Sequence, residues 1–591
     1  MHSQQLAFER FFSGLALSAA LALAGYAVLI GAGVVAALSP LTYFADEWAW
    51  LSFNVVRGHG SFCRLWGHPI FTSNLLLSAN YNLYDGAPIG RAVAASSVHV
   101  LGMFLVGTLV TSKCSLPFRT RAAITFVFAA AGLSGSLSSK LFWSLGVSDG
   151  FVLVGGCIAV HGIARLKRSS RIAWPLMLSG TLLAVCSFGS GLVLPAAITF
   201  ALIVLRINYR AIFLYLVSAG VMIWVSMVLL PVCEIRNNAT SAEAFMFSPW
   251  AILKTASVVL AFLPAHIFGQ QAVWTSNAYE TYWICFGFIL ICTLTFHSAR
   301  LLLRGSSDAF GVGLVCLALS LIGATLLIGL TRTAAHGLEV AFQPRYAPIT
   351  TAFWVLCIGI LLRHALQVGR KFYRNGLLIV FSFVLALTNS SQLGHYVAFH
   401  QYLAVSSIAV LIAAKSGQVS ENLRRYMGLT EWIMKPLPML VAARKDIFDE
   451  PIGRSFMANE PPSIDALACQ GTMFRMPQYD EVGIIGFGGW GASASGQPFE
   501  RIMIYGRDGV VGAGVPTSLQ ITHSRSDEVE LLRGWRQVVF KTMPPVAAAY
   551  GIGAGWVGLA KTDGQDIVAI GWTADGACRL RFESIDTRAT P

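Results

Sequence analysis

Eleven apolar stretches recur along the first 390 residues, near 11–37, 93–112, 121–138, 147–164, 172–187, 189–205, 211–231, 281–299, 308–331, 347–367 and 376–388. A helix of about 20 such residues, rising 1.5 Å each, crosses the roughly 30 Å of bilayer hydrocarbon. Repetition on this scale predicts a polytopic α-helical membrane protein of about 11 transmembrane helices, the shorter stretches being tilted, kinked or merged with loops. Composition agrees: 55% of the 591 residues are hydrophobic and 12% are charged. Soluble domains carry about 25% charged residues. The net charge of +13 raises nucleic acid as a partner, but the basic residues lie in short clusters between apolar runs, so nucleic acid is set aside.

Those clusters orient the chain. With the N-terminus cytoplasmic, the inside loops hold 16 basic residues: Arg10; Lys113, Arg119, Arg121; Arg165, Lys167, Arg168, Arg171; Arg206, Arg210; Arg300, Arg304; Arg363, Arg370, Lys371 and Arg374. The longer outside loops hold 8: Arg57, Arg64, Arg91, Lys140, Arg236, Lys254, Arg332 and Arg345. This positive-inside asymmetry predicts a multi-pass protein of a cytoplasmic membrane, the bacterial inner membrane if the host is Gram-negative, with long loops at about 38–92 and 232–280 outside. The first run is too long for a signal-peptide core and lacks a convincing cleavage site, so it reads as an uncleaved span.

Asp46 and Glu47 stand about ten residues beyond the first span, in the first outside loop beside Trp48 and Trp50. Carboxylates so near hydrocarbon mark a functional site; the plainer alternative is a solvated pair that ends a helix. In the second outside loop, Ala251–Phe268 reads as a helix in the membrane interface, broken by Pro264.

Beyond residue 390 the pattern changes. Residues 395–415, interrupted by His395, His400 and Gln401, form either an interfacial helix, which keeps the C-terminus outside, or a twelfth span; the first is preferred. Residues 391–459 make interfacial and linker helices, and 460–591 are Gly-rich with short alternating runs at Val482–Phe487, Arg501–Tyr505, Gln537–Lys541, Ile567–Trp572 and Cys578–Phe582. Breaks at Gly506-Arg507-Asp508-Gly509 and Thr562-Asp563-Gly564 fit hairpins, and the whole reads as a C-terminal all-β sandwich domain. Cys469 and Cys578 can pair if that domain lies outside the cytoplasm. Trp490, Trp535, Trp556 and Trp572 serve either its core or a glycan-binding surface, at least two of them in the core.

The acidic pair in the first outside loop, the span count, the C-terminal domain and Gln343-Pro344-Arg345-Tyr346-Ala347-Pro348 together resemble the GT-C class of membrane glycosyltransferases, over residues 1–390. The Arg-Tyr pair before a late span is similar to one in the protein mannosyltransferase and aminoarabinose transferase branches. The C-terminal domain looks like the carbohydrate-binding modules of arabinofuranosyltransferases. A Trp-Trp-Asp acceptor motif is missing, so the resemblance assigns neither branch nor donor sugar.

The resemblance implies inverting transfer from a polyprenyl-phosphate sugar donor to a glycan, lipid-linked glycan or protein acceptor, in contact with membrane lipid. Asp46 is then the general base, with Glu47 the alternative, since adjacent helical residues point to different sides. Asp149 either orients the acceptor or a divalent cation, the one possible cofactor, or merely caps a helix. Arg345 with Tyr346, then Arg332, His336 and Lys254, would receive the donor phosphate, Arg345 by a bidentate contact. Trp48 and Trp50 would stack on sugar faces or belong to an interfacial aromatic belt. Two other classes compete: a transporter or flippase for a lipid-linked glycan, and a membrane-anchored glycan-binding protein. No internal repeat supports the first, and so many spans exceed what anchoring needs.

Overall fold

The computed structural model describes residues 2–37, 46–56, 69–86, 88–137, 146–166, 169–230, 248–267, 277–336, 346–391, 393–421, 423, 430–459, 467–492, 499–516, 555–562, 567–573 and 576–582. The chain divides into two compact units, one of Met1–Gly31, Ser61–Leu76 and Ala94–Gln392, the other of Ala32–Gly60, Leu77–Val93 and Leu393–Pro591.

Among the described residues, seven helices are long and apolar enough to cross a membrane: Gly14–Ala32, Gly90–Thr111, Tyr209–Leu229, Thr281–Arg304, Ala309–Thr331, Ala347–Val368 and Lys371–Ser390. Val147–Ile163, Arg171–Val185, Gly189–Val204, Pro249–Ala261 and Leu403–Ser416 are apolar but shorter. Seven full-length candidates therefore stand where about eleven spans are expected. Near 121–138 the helix Phe118–Ala130 gives way to tight turns at Ala131–Leu133 and Gly135–Leu137.

The helical unit packs as membrane helices do, through small residues. Val147–Ile163 lies against Ser170–Val185, and a methyl added at Gly155 would sit 2.5 Å from the Gly180 carbonyl oxygen. Such backbone approach gains dispersion where the hydrophobic effect between helices is absent. Large apolar side chains point outward from Tyr209–Trp224, among them Phe213, Leu214, Val221 and Trp224, and from Asn277–Arg304, including Ile289, Phe296 and Leu303. Exposed apolar surface of this extent suits lipid rather than water.

The helix Pro249–Ile267 differs from the interfacial segment expected at Ala251–Phe268. It packs against Asn277–Arg304, Ala309–His336 and Ala347–Val368, with Ala256 and Val258–Ala261 buried. Pro264 supplies no N–H to Leu260 four residues back, and the freed carbonyl accepts Trp354 Nε1 at 2.9 Å and Thr350 Oγ1 at 3.2 Å instead. Asn389 treats the turns before 138 similarly. Its amide donates to the Ala27 and Leu133 oxygens at 2.7 and 3.1 Å, and its oxygen accepts the Gly135 N–H.

In the second unit, seven described strands between 467 and 582 form a closed barrel rather than a two-layer sandwich. Its strands are β1 (Leu467–Arg475), β2 (Ile485–Ala492), β3 (Arg501–Gly506), β4 (Gly509–Pro516), β5 (Gly555–Ala560), β6 (Val568–Thr573) and β7 (Gly576–Phe582). The order around the wall is β1-β2-β5-β4-β3-β6-β7; every pair is antiparallel except β1–β7, which closes it. Closure removes both sheet edges, which a sandwich would leave open. Cys469 and Cys578 form a disulfide across the closing pair.

One side of each strand faces the interior: Cys469, Met473, Ile485, Phe487, Ile502, Ile504, Trp556, Ala569, Cys578 and Leu580, joined by Phe499. So narrow a barrel holds two large rings only because glycines stand opposite them. A methyl at Gly514 would sit 2.6 Å from Trp556 Cε3, and one at Gly571 2.5 Å from Phe499 Cδ1.

Leu393–Ser416 is one continuous 24-residue helix. Leu403–Ala413 is buried on all sides, against β4, β5 and the helices Leu437–Ala443 and Pro451–Ala458. A helix enclosed by protein needs no polar face, which accounts for its all-round apolarity. Lys415 ends it by donating to the Val510 oxygen at 2.8 Å and Asn459 Oδ1 at 2.9 Å.

Candidate functional site

The acidic pair opens the short helix Asp46–Trp50, which continues into a π-helical turn, Leu51–Val56. π-turns recur at functional sites because they cost helix hydrogen-bond geometry. Glu47 is 0% exposed, with Oε2 3.8 Å from Nε of Arg91, itself 0% exposed. Arg91 also reaches Asp446 Oδ1, from Nη2 at 3.2 Å and Nη1 at 3.3 Å, and donates from Nη1 to the Gly86 oxygen at 2.5 Å. Two buried carboxylates thus share one guanidinium, leaving the trio one negative charge in excess.

The surrounding turn is built to hold it. Asp85 and Gly86 have positive φ (51° and 75°), and the Asp446 N–H donates to the Asp85 oxygen at 2.9 Å. Asp446 itself sits at φ 61°, a left-handed conformation that Asp tolerates better than most residues. Lys445 Nζ donates to the Tyr81 oxygen at 2.6 Å, lies 3.2 Å from Asp85 Oδ1 and sits 4.3 Å over the Tyr81 ring. Burial raises the pKa of the Tyr81 phenol. Strained left-handed residues persist only where neighbours over-determine them, and they gather at working sites.

Trp48 and Trp50 are 0% and 2% exposed. Neither ring offers an open face to a sugar; both are packed inside the unit that carries Glu47. Among the described residues, the buried Trp50 Nε1 and Ser52 Oγ atoms have no hydrogen-bond partner, an orphaned donor and hydroxyl one turn from Glu47. The side chains of Asp46, Arg332 and His336, and all of Arg345, lie outside the described residues.

In the helical unit, Asp149 lies half-buried in the first turn of Val147–Ile163. Gly146 is the N-cap there and makes no side-chain capping bond, so Asp149 is not the cap; it faces the positive end of the helix dipole. Its Oδ1 accepts Ser190 Oγ at the long distance of 3.5 Å. Beside it the Ser73 and Ser148 hydroxyls meet at 2.5 Å, and Thr72 donates to Ser187 at 3.0 Å, forming a polar layer between apolar helices. Tyr346 is buried at the start of Ala347–Val368, and Lys254 is half-buried on Pro249–Ile267. Among the described residues, no three His, Cys, Asp or Glu side chains stand close enough to hold a metal.

Sequence reasoning passed over the cation at the centre. Arg91 counts there only toward the outside charge, although an arginine three residues inside Pro88–Thr111 was a signal in itself. Asp446, 355 residues further on, left no such signal. A second missed knot joins Asp308 and Arg363. Arg363 donates to both Asp308 oxygens (2.7 and 2.5 Å) and to the carbonyls of Leu109, Val110 and Ser112 at 2.9 to 3.0 Å, so it closes the C-terminal end of Pro88–Thr111. Burial alone would raise the Asp308 pKa, but the bonds and charge of Arg363, with hydrogen bonds from the Gly311 backbone and Gln367, together outweigh it and leave that carboxyl below its ordinary value. Compared with known proteins, the chain matches no family model, no curated protein and no solved structure.

Proposed function

We propose that the chain is a membrane glycosyltransferase that moves a sugar from a polyprenyl-phosphate donor to an acceptor hydroxyl on the outer side of a bacterial cytoplasmic membrane. One observation carries most weight: Glu47 is immobilised in the Glu47–Arg91–Asp446 trio. Glu47 then serves as a structural anchor, and Asp46 is the carboxylate proposed for the chemistry.

In the reaction, the acceptor oxygen attacks the anomeric carbon as the bond from that carbon to the carrier phosphate breaks. The electron pair leaves on the phosphate oxygen, and the acceptor proton passes to Asp46. Inversion follows from a single displacement. Arg345, Tyr346, Arg332, His336 and Lys254 are the candidates to receive the departing phosphate, and Asp149 to orient the acceptor or a cation. The Cys469–Cys578 disulfide supports a C-terminal domain in an oxidising compartment, outside the cytoplasm.

The test is transfer by the full-length chain, reconstituted in lipid, with a panel of synthetic polyprenyl-phosphoryl pentoses and hexoses. Asp46→Asn should lower turnover by about 10²–10⁴ with thermal stability kept, the range for losing a general base. No transfer from any donor, or an Asp46→Asn variant as active as the parent, would overturn the proposal.

A further inference from the structure

The outer wall of the barrel is unevenly covered. Over β3, β4 and β5 the outward side chains Met503, Tyr505, Ala513, Val515, Val557 and Leu559 are buried, with Leu393–Ser416 and Pro451–Ala458 packed on those strands. Around the wall, β6 and β7 turn a different strip outward. Arg501 pairs across the strands with Trp572, and its guanidinium stands 4.9 Å from the Trp572 ring. Trp572 pairs in turn with Ala577, and Arg579 follows two residues along the same face. Such diagonal neighbours lie within reach of long side chains. Arg581 continues the line beside Thr472 of β1.

Arg579 and Arg581 are exposed, while Arg501 and Trp572 are half-buried. The N–H groups at Arg501 Nε and Trp572 Nε1 are buried with no acceptor among the described residues. Among the described residues, none of the three arginines has a carboxylate within ion-pair distance, and the neighbouring Glu500 pairs with none of them. Three guanidinium groups that no described carboxylate neutralises therefore flank one indole on the outer wall of the barrel.

We infer that this Arg501–Trp572–Arg579–Arg581 strip docks on anionic phospholipid headgroups of the membrane that holds the chain. The charge calls for an anion. The outer wall of a closed barrel suits an extended surface rather than a small molecule, which needs concave enclosure. Trp and Arg side by side are the pair that settles at headgroup level, the indole in the interface and the guanidinium on phosphate. Covalent attachment to the apolar helices keeps a bilayer permanently within reach, so weak contacts suffice. Each basic side chain at an anionic surface raises partitioning roughly five-fold, and screening by salt removes most of that gain. The inference needs the chain to be membrane-bound but does not depend on glycosyl transfer.

The test uses the full-length chain in nanodiscs of phosphatidylcholine alone or with phosphatidylglycerol. Arginines are labelled with a dicarbonyl reagent and each peptide is read by mass spectrometry, with Arg475, held by Asp480 at 2.6 Å, as internal reference. Phosphatidylglycerol should slow labelling of Arg579 and Arg581 about five-fold or more relative to Arg475, and about 0.5 M salt should abolish the protection. Arg579→Lys/Arg581→Lys should keep Arg501 protected; Arg579→Gln/Arg581→Gln should expose it, with the Cys469–Cys578 disulfide verified intact in both. Equal labelling in the two lipids overturns the inference. So does protection that needs no anionic lipid but appears on adding a soluble uronic-acid oligosaccharide, which would make the strip a site for acidic glycans. Transfer assayed on the same samples separates this result from that of the enzymatic proposal.

Discussion

Replacing Arg91 by Met removes a buried cation that faces both Glu47 and Asp446. Lys445 cannot substitute, because it is engaged by Asp85 and the Tyr81 carbonyl. Removing one partner of a buried charge set costs about 3–5 kcal/mol, since the remaining charge has lost both water and its counter-ion. In a unit of roughly 150–250 residues each kcal/mol moves the midpoint about 2–4 °C, so Arg91→Met should melt about 6–20 °C early. Glu47→Gln should cost far less: its contact to Arg91 is 3.8 Å long, and its loss leaves a neutral Arg91–Asp446 pair. The assay is intrinsic-fluorescence melting of the full-length chain in detergent at one heating rate, because unfolding of such proteins is seldom reversible. If Arg91→Met melts with the parent, or Glu47→Gln is the more damaging change, the trio is not the anchor described above.

Asp308, its pKa depressed by Arg363, contributes stability that is present above its unfolded pKa of about 3.9 and is lost as pH falls through the lower folded value. Acid titration of the midpoint should therefore steepen below about pH 4, and Asp308→Asn should flatten that limb. Reducing Cys469–Cys578, which closes a loop of sequence separation 109, should destabilise the barrel by about 2–5 kcal/mol, read as earlier protease cleavage after reductant; unchanged cleavage would count against it. Gly514→Ala forces a methyl to 2.6 Å from Trp556 and should cost about 1–3 kcal/mol with a shift in tryptophan emission, whereas a silent variant would mean the ring is not packed there.

The membrane character was legible because run length is a local property: the helices Ala309–Thr331 and Ala347–Val368 follow the apolar stretches near 308–331 and 347–367. The hairpin at Gly506-Arg507-Asp508-Gly509 was legible for the same reason, and Gly506 and Gly509 are paired there. Barrel closure was not. It depends on β1 and β7 meeting in parallel, a non-local pairing with no periodic signature, and β1 lies outside the runs named in the sequence. Glycine has a role that its abundance does not reveal: Gly514 and Gly571 are interior strand positions cleared for Trp556 and Phe499. Leu393–Ser416 was misleading. Its polar interruptions suggested an interfacial helix, whereas protein surrounds its described part.

The acidic pair shows how far sequence reasoning reaches into a site. Two adjacent carboxylates were conspicuous, but the setting of Glu47 was not, because it is made by Arg91 and Asp446, 44 and 399 residues further on. Buried ion pairs are poor sources of stability compared with apolar side chains of equal volume. Their advantage is direction: a guanidinium must meet its carboxylates and the Gly86 carbonyl at fixed angles, which an apolar cluster does not require. The Arg91–Asp446 bonds and the Gly86 carbonyl therefore set the direction of this knot, and Glu47 joins it through charge at 3.8 Å.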